Sequence, residues 1–389
     1  MGSAYNEITN KYKIELSIFL SGCLISILWI LLNQEPVQSN DTNFYIHHAR
    51  NIAKDGISYL FANELPPYYW LFSAILTPIQ LWCPEQLPII VVGAQALMWG
   101  GLCVLVYMIC HLYCSNLSSL ICSAIFGISF EILQWTNYVL SDILYVTLFT
   151  SYIYCILLLK KGFRNSIFLI ICGIGLTLIF ARPIGFIASC IGSLSVLITC
   201  INNHKWKSLF CYFSFYSIVG IFLVIILFSK TDKIIKNDTE RVSPQGYMTL
   251  FTERFADGTI IDERPAHNLS PNQNEANWIF YMRVFSKRCI YFWSPFISGY
   301  SFIHTVINTI LLMPIIITGF IGMFLSLKKL NIVEFSTLIL PVVVFTGFHS
   351  LTLIDYDHRY RIPVLWIMIV FSAFVIEKII KVSNTIYQR

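Results

Sequence analysis

Charge is what this sequence has least of. Asp, Glu, Lys and Arg make up only 12% of its 389 residues, about half the share of a soluble globular domain. The 26 basic residues outnumber the 21 acidic ones by five, an imbalance too mild for a nucleic-acid binder. Nine of those basic residues fall between positions 230 and 288. There is no CxxC pair and no Cys/His pairing. Most of the twelve cysteines (Cys23, Cys103, Cys110, Cys122, Cys155, Cys172, Cys190 and Cys200 among them) sit in or beside apolar runs. They read as small buried hydrophobes, not as a disulfide framework or metal site. Alternating ten-residue segments, the signature of an outer-membrane barrel, are missing too. So is a small-residue cleavage site after the first apolar run, which begins beyond Lys11 and Lys13 and reads as a retained first span.

What is present is apolar sequence in long runs: 56% of the chain is apolar, 15% is aromatic, and the mean hydropathy is +0.68. A membrane span needs about 20 mostly apolar residues. Runs at 14–32, 88–110, 117–135, 143–159, 166–181, 183–201, 208–229, 302–326, 334–353 and 361–377 qualify. The stretch 66–83 opens with Pro66-Pro67, contains Pro78 and is rich in Tyr and Trp. Basic residues decide how to read it. If 66–83 lies at the interface, Lys11, Lys13, Lys160, Lys161, Arg164, Lys205, Lys207, Lys328, Lys329, Lys378, Lys381 and Arg389 all face the cytoplasm. Only Arg50, Lys54, Arg182, Arg359 and Arg361 then occupy short outer loops, as the positive-inside rule requires. The expected fold is therefore an all-α polytopic membrane protein. It has about ten transmembrane helices, both termini inside, and juxtamembrane helices in the first outer loop. Its parts would be a transmembrane module over 1–229 with its first outer loop at 33–87, an outer loop at 230–301, and a three-span segment at 302–389.

On this topology the polar chemistry collects outside. Glu15, Glu131, His304, Glu334, His349 and Glu377 fall toward span ends, so the midplane lacks the ionisable groups of ion-coupled transporters. No internal repeat is visible, which also disfavours a transporter. Asp41-Thr42 marks a helix start in the first outer loop, with Phe44, Ala49, Ile52 and Ala53 on one face and Gly56 at its end. Asp142 stands where the third span emerges and the fourth begins. Each acid reads equally as a helix N-cap worth roughly 1 kcal/mol. Both reach the same face, however, where two carboxylates can hold a divalent cation or one can deprotonate a hydroxyl. Glu64 is a third acid on that side, and also reads as a solvated loop residue. Arg182 beside Pro183, together with Arg359 and Arg361, suits the phosphate of an anionic lipid; interfacial anchoring is the plainer use of such residues. The run from Trp278 to Trp293 reads as an amphipathic helix. Asn237 and Asn268 head sequon matches, a pattern common by chance.

Asp41-Thr42-x-x-Tyr45, Glu64-x-Pro66-Pro67-Tyr68-Tyr69-Trp70, Leu140-Ser141-Asp142, Arg182-Pro183-x-Gly185 and Arg359-Tyr360-Arg361-Ile362-Pro363 follow one another in this order. In that order they resemble the GT-C superfamily of membrane glycosyltransferases, which includes protein O-mannosyltransferases and the lipid A aminoarabinose transferase. The resemblance covers most of the chain to about residue 201 and the last two spans. It implies that Asp41 is general base or metal ligand, that Asp142 and Glu64 are the further catalytic acids, and that Arg182, Arg359 and Arg361 bind the donor phosphate. The implied partners are a polyprenyl-phosphate sugar donor, a glycan or lipid-linked acceptor and membrane lipids, with no nucleic acid. The implied setting is the cytoplasmic (inner) membrane of a bacterium, with the site facing the periplasm and serving surface polysaccharide or lipopolysaccharide. Members differ in metal use, so a divalent cation on Asp41 and Asp142 is carried as an expectation. Two departures stand out: Asp142 replaces the Glu of many members, and no soluble C-terminal domain is expected, which leaves the acceptor undefined. Two other activities share the many spans and outer arginines: an O-antigen polymerase or ligase, and a flippase or transporter of lipid-linked sugar.

Overall fold

The computed structural model describes residues 2–62, 65–214, 216–217, 220, 260–262, 267–269, 277–296, 301–351 and 359–387. Among them the structure is predominantly helical, with one short antiparallel pair, Ile260–Asp262 against His267–Leu269. Seven helices are long and apolar enough to cross a membrane: Tyr12–Leu32, Leu87–His111, Asp142–Lys161, Pro183–Asn202, Phe302–Ser326, Ile332–Leu351 and Arg359–Thr385. An eighth span arises if the bent pair Asn116–Gly127 and Phe130–Asn137 is counted as one. This is the architecture of an all-α polytopic membrane protein.

Nine of the ten apolar runs expected to span fall wholly or mostly within the described residues, and seven of them form helices of spanning length. The expected span 117–135 is not one straight rod: it bends by 49°. Gly127, a weak helix former, closes the first segment, and Ser129 precedes the second with an extended backbone. The run 166–181 forms Asn165–Ile179, only 15 residues, about 22 Å at 1.5 Å per residue. Most of 208–229 lies outside the described residues. The stretch 66–83 forms a 13-residue helix, Trp70–Trp82, too short to cross a hydrocarbon core of about 30 Å.

The first-loop helix, α1 (Asn40–Asp55), starts differently from the expectation. Its N-cap is Ser39, not Asp41: the Ser39 and Thr42 side chains cap each other's backbone N–H groups in a reciprocal box. Asp41 thus stands in the first turn with its carboxylate released from capping. Gly56 ends the helix as expected, with φ +73° and its N–H donated to Ile52 O at 2.9 Å. Helix α2 (Trp70–Trp82) packs along α1, Tyr45 meeting Phe72 edge-to-face at 4.9 Å.

The C-terminal helix, α3 (Ile362–Tyr387), forms the centre of the bundle, with residues 361–374 all buried. It packs most extensively against Phe302–Ser326, where Gly322 lets the Phe371 carbonyl approach so closely that any Cβ would collide with it. Close approach of small residues is how helices associate where lipid offers no hydrophobic driving force.

Candidate functional site

Three acid–arginine pairs gather at one end of the bundle. The loop before Asp142 and the start of α1 are laced together: Val37 bridges Tyr138, Thr42 Oγ1 donates to Val139 O at 3.1 Å, and the Tyr45 hydroxyl meets Ser141 Oγ at 3.1 Å. Gln95 Nε2 holds Leu140 O at 2.9 Å from the other side. These bonds bring Asp41 and Asp142, a hundred residues apart in sequence, to a common region.

Arg182 arrives from a third direction. Pro183 takes the first position of its helix, where its missing N–H costs nothing. Gly185 sits so close to the Leu178 carbonyl that no side chain fits there. The resulting tight return aims Arg182 at Asp142, to which Nη1 donates a hydrogen bond. Asp142 is only 2% exposed and Arg182 8%. Asp142 is the first residue of its helix, and it uses its carboxylate for this ion pair, not for capping. Burial disfavours the Arg182 charge, but Asp142 and Tyr45 beside it outweigh that penalty and hold its pKa above the usual arginine value. The Tyr45 hydroxyl is pushed well up by burial, against the opposing pull of Arg182. Helix α2 is fastened to the same return: Leu71 N–H donates to Phe180 O at 3.1 Å, and Trp70 stacks on Phe180 at 5.8 Å.

Arg359 completes the ring. Its Nη1 donates to Asp41 Oδ2 at 2.6 Å, with the aspartate side chain 48% exposed and the arginine 17%. Arg182 senses the positive charge of Arg359, so the two pairs share one neighbourhood. This is the most accessible of the three pairs.

Arg361 behaves differently. It is fully buried, with Nε and Nη2 donating to Glu131 Oε1 at 3.1 and 2.7 Å, and Nη1 donating to Phe292 O and Ser294 O at 3.0 and 2.5 Å. Asn308 Nδ2 donates to the second Glu131 oxygen at 2.8 Å. Every nitrogen of this guanidinium is committed within the protein, tying the bend of the 116–137 pair, the helix Asn277–Trp293 and α3 into one knot. Glu131 is absent from the site residues expected from sequence, although it was placed toward a span end. Its apolar setting inside a long run was the available signal, since a buried carboxylate requires a partner.

Glu64 lies outside the described residues. The two acids expected to hold a cation each carry a guanidinium, a poor setting for a divalent ion. Among the described residues no three His, Cys, Asp or Glu side chains gather in a metal-binding group. What the arrangement offers is two carboxylates interleaved with two guanidinium groups, one pair half-open and the other buried. Compared with known proteins, the chain matches no family model and no curated sequence.

Proposed function

We propose that this protein is a membrane glycosyltransferase of the GT-C type, moving a sugar from a polyprenyl-phosphate donor to a hydroxyl of a glycan or lipid-linked acceptor. The observation that carries the reading is the meeting of the Asp41–Arg359 and Asp142–Arg182 pairs at one end of an apolar bundle. An acid for the acceptor proton and guanidiniums for the leaving phosphate are the two needs of such a transfer.

In the proposed step the acceptor oxygen attacks the anomeric carbon and the bond from that carbon to the phosphate oxygen breaks. The electron pair leaves with polyprenyl phosphate, and the hydroxyl proton passes to the Asp41 carboxylate. Arg182 and Arg359 stabilise charge growing on the phosphate. The donor phosphate competes with Asp41 for Arg359, so donor binding frees the carboxylate for its role as base. Asp142 fixes Arg182, while Arg361 holds the scaffold and contributes to phosphate binding only through position. Glu64 is retained as a further acid of the first loop.

The charge distribution supports ten spans with both termini cytoplasmic, the short helix Trp70–Trp82 at the interface and the site facing the periplasm of a bacterial inner membrane. Surface polysaccharide or lipopolysaccharide is the proposed acceptor.

The test is transfer by purified protein in detergent, with no ion gradient, from short-chain polyprenyl-phosphate sugars to glycans extracted from cells lacking the gene. New glycosidic product by mass spectrometry is the expected result. Its absence, with gradient-dependent movement of the intact lipid-linked sugar in vesicles, would favour a transporter instead.

A further inference from the structure

Just inside the site, the bundle buries polar atoms that no described residue satisfies. Asp142 Oδ2, the Tyr145 hydroxyl and His349 Nε2 all lack a hydrogen-bond partner. Their residues are 2%, 0% and 4% exposed. Leaving such atoms unpaired is costly, so three in one neighbourhood call for partners beyond the described residues. They do share a neighbourhood. Asp142 and Tyr145 are one helical turn apart, and Tyr145 and His349 both lie within the electrostatic reach of Arg182. Phe149, stacked on Tyr145 at 6.2 Å and on Phe345 at 5.6 Å, joins that helix face to the one carrying His349. His349 in turn stacks on Tyr360 at 4.6 Å, next to Arg359.

The three atoms differ in what they can bind. A phenol hydroxyl and an imidazole N–H can donate to phosphate oxygens, which only accept. An aspartate already bonded to Arg182 can use its remaining oxygen only to accept, and a phosphate diester has no proton to give. The complete set therefore calls for a ligand that carries anionic oxygens and a hydroxyl side by side. We infer that Asp142, Tyr145 and His349 form a selectivity set for a glycosyl phosphate bearing a free hydroxyl on the carbon next to the phosphate-bearing one. Asp142 Oδ2 receives that hydroxyl, while Tyr145 and His349 donate to the phosphate held by Arg182. This rests on the proposed transfer and narrows its donor: sugars that are deoxy or acylamino at that carbon are excluded.

The experiment measures binding of citronellyl phosphate esters of glucose, galactose and mannose, each beside its 2-deoxy counterpart, to the full-length protein in nanodiscs. The wild type, Tyr145→Phe, His349→Phe and Asp142→Ala are compared, together with each ligand-free Tm. For at least one sugar, the wild type binds the hydroxylated probe ten-fold or more tightly than its deoxy partner. Tyr145→Phe and His349→Phe each weaken both probes of that pair about ten-fold, without lowering the ligand-free Tm, since they remove polar atoms that have no partner among the described residues. Asp142→Ala also strands the buried Arg182 and lowers the ligand-free Tm; in the fraction that stays folded it abolishes the preference for the hydroxyl. Unchanged affinities in the two Phe variants, or equal wild-type binding of both members of every pair, overturn the selectivity set and leave the transfer reading standing. Failure of the wild type to bind any probe overturns both.

Discussion

The two ends of the bundle are built with the same kinds of residue and put them to different uses. At the end opposite the site, Lys160 Nζ meets Glu334 at 2.7 Å with the lysine side chain 31% exposed. The same Glu334 closes a capping box with Asn331. Glu377 accepts from Ser115 Oγ and Ser118 Oγ at 2.6 and 2.7 Å and from Ser115 N–H at 3.0 Å, and pairs with Lys381 one turn on. Those acids finish helices. At the site end Asp41 and Asp142 stand in first turns yet leave capping undone, and they bond to arginines brought from distant parts of the chain. Acids that terminate helices serve the fold. Acids released from that duty, with unpaired atoms beside them, are the ones available for chemistry.

The sharpest way to break this contrast is Asp41→Asn. It should lower the transfer rate on the order of 10²–10⁴-fold with Tm within a degree or two of wild type. A near-normal rate, read by product formation per mole of folded protein, would remove Asp41 from the mechanism. Arg361→Ala should instead unfold: losing one partner of a buried ion pair costs about 3–5 kcal/mol, visible as a large fall in Tm and in yield of monodisperse protein. Replacing both members, Arg361→Met with Glu131→Leu, should recover much of that loss, because no charge is then stranded. Arg359→Ala should sit between these, raising the donor KM about ten-fold or more, as expected for a charged hydrogen bond worth about 1.5–3 kcal/mol, with acceptor KM unchanged. Equal changes in both would argue against a phosphate role. The smallest effect belongs to the opposite end. Lys160→Ala, at a partly exposed pair, should cost no more than about 1 kcal/mol and leave transfer untouched; a loss of activity there would dissolve the distinction between the ends.

Much of the scaffold was legible because span length and apolar content are local properties. The runs at 88–110, 183–201 and 302–326 reappear as helices within a residue or two. The meeting of Asp41 with Asp142 was legible only through topology, and the pairing of each with a particular arginine was not. Asp41 and Arg359 are 318 positions apart, and Glu131 and Arg361 are 230 apart; no local pattern encodes such partners. The true cap of the first-loop helix could have been read, since Ser39 and Thr42 have the spacing of a reciprocal box. The more familiar Asp-Thr pair two residues along places the expected cap that much too far into the helix. The bend before Phe130 was hidden because the apolar run continues across it. In sequence His349 is legible only as an ionisable residue near a span end, since its burial and its Nε2 left without a partner among the described residues are properties of the packed state.

Arg361 has a further consequence for how the chain is made. Its acceptors, Glu131, Phe292 and Ser294, all leave the ribosome before it does. Until α3 is threaded into the bilayer, Glu131 waits in an apolar setting, with Asn308 as its other side-chain hydrogen-bond donor among the described residues. The knot therefore closes only when α3 arrives, entering the middle of a half-built bundle like a bolt through a hasp. Biogenesis factors that shelter polar groups in nascent membrane proteins would be needed for longest at the bend of the 116–137 pair, and chains halted before residue 361 should be degraded quickly.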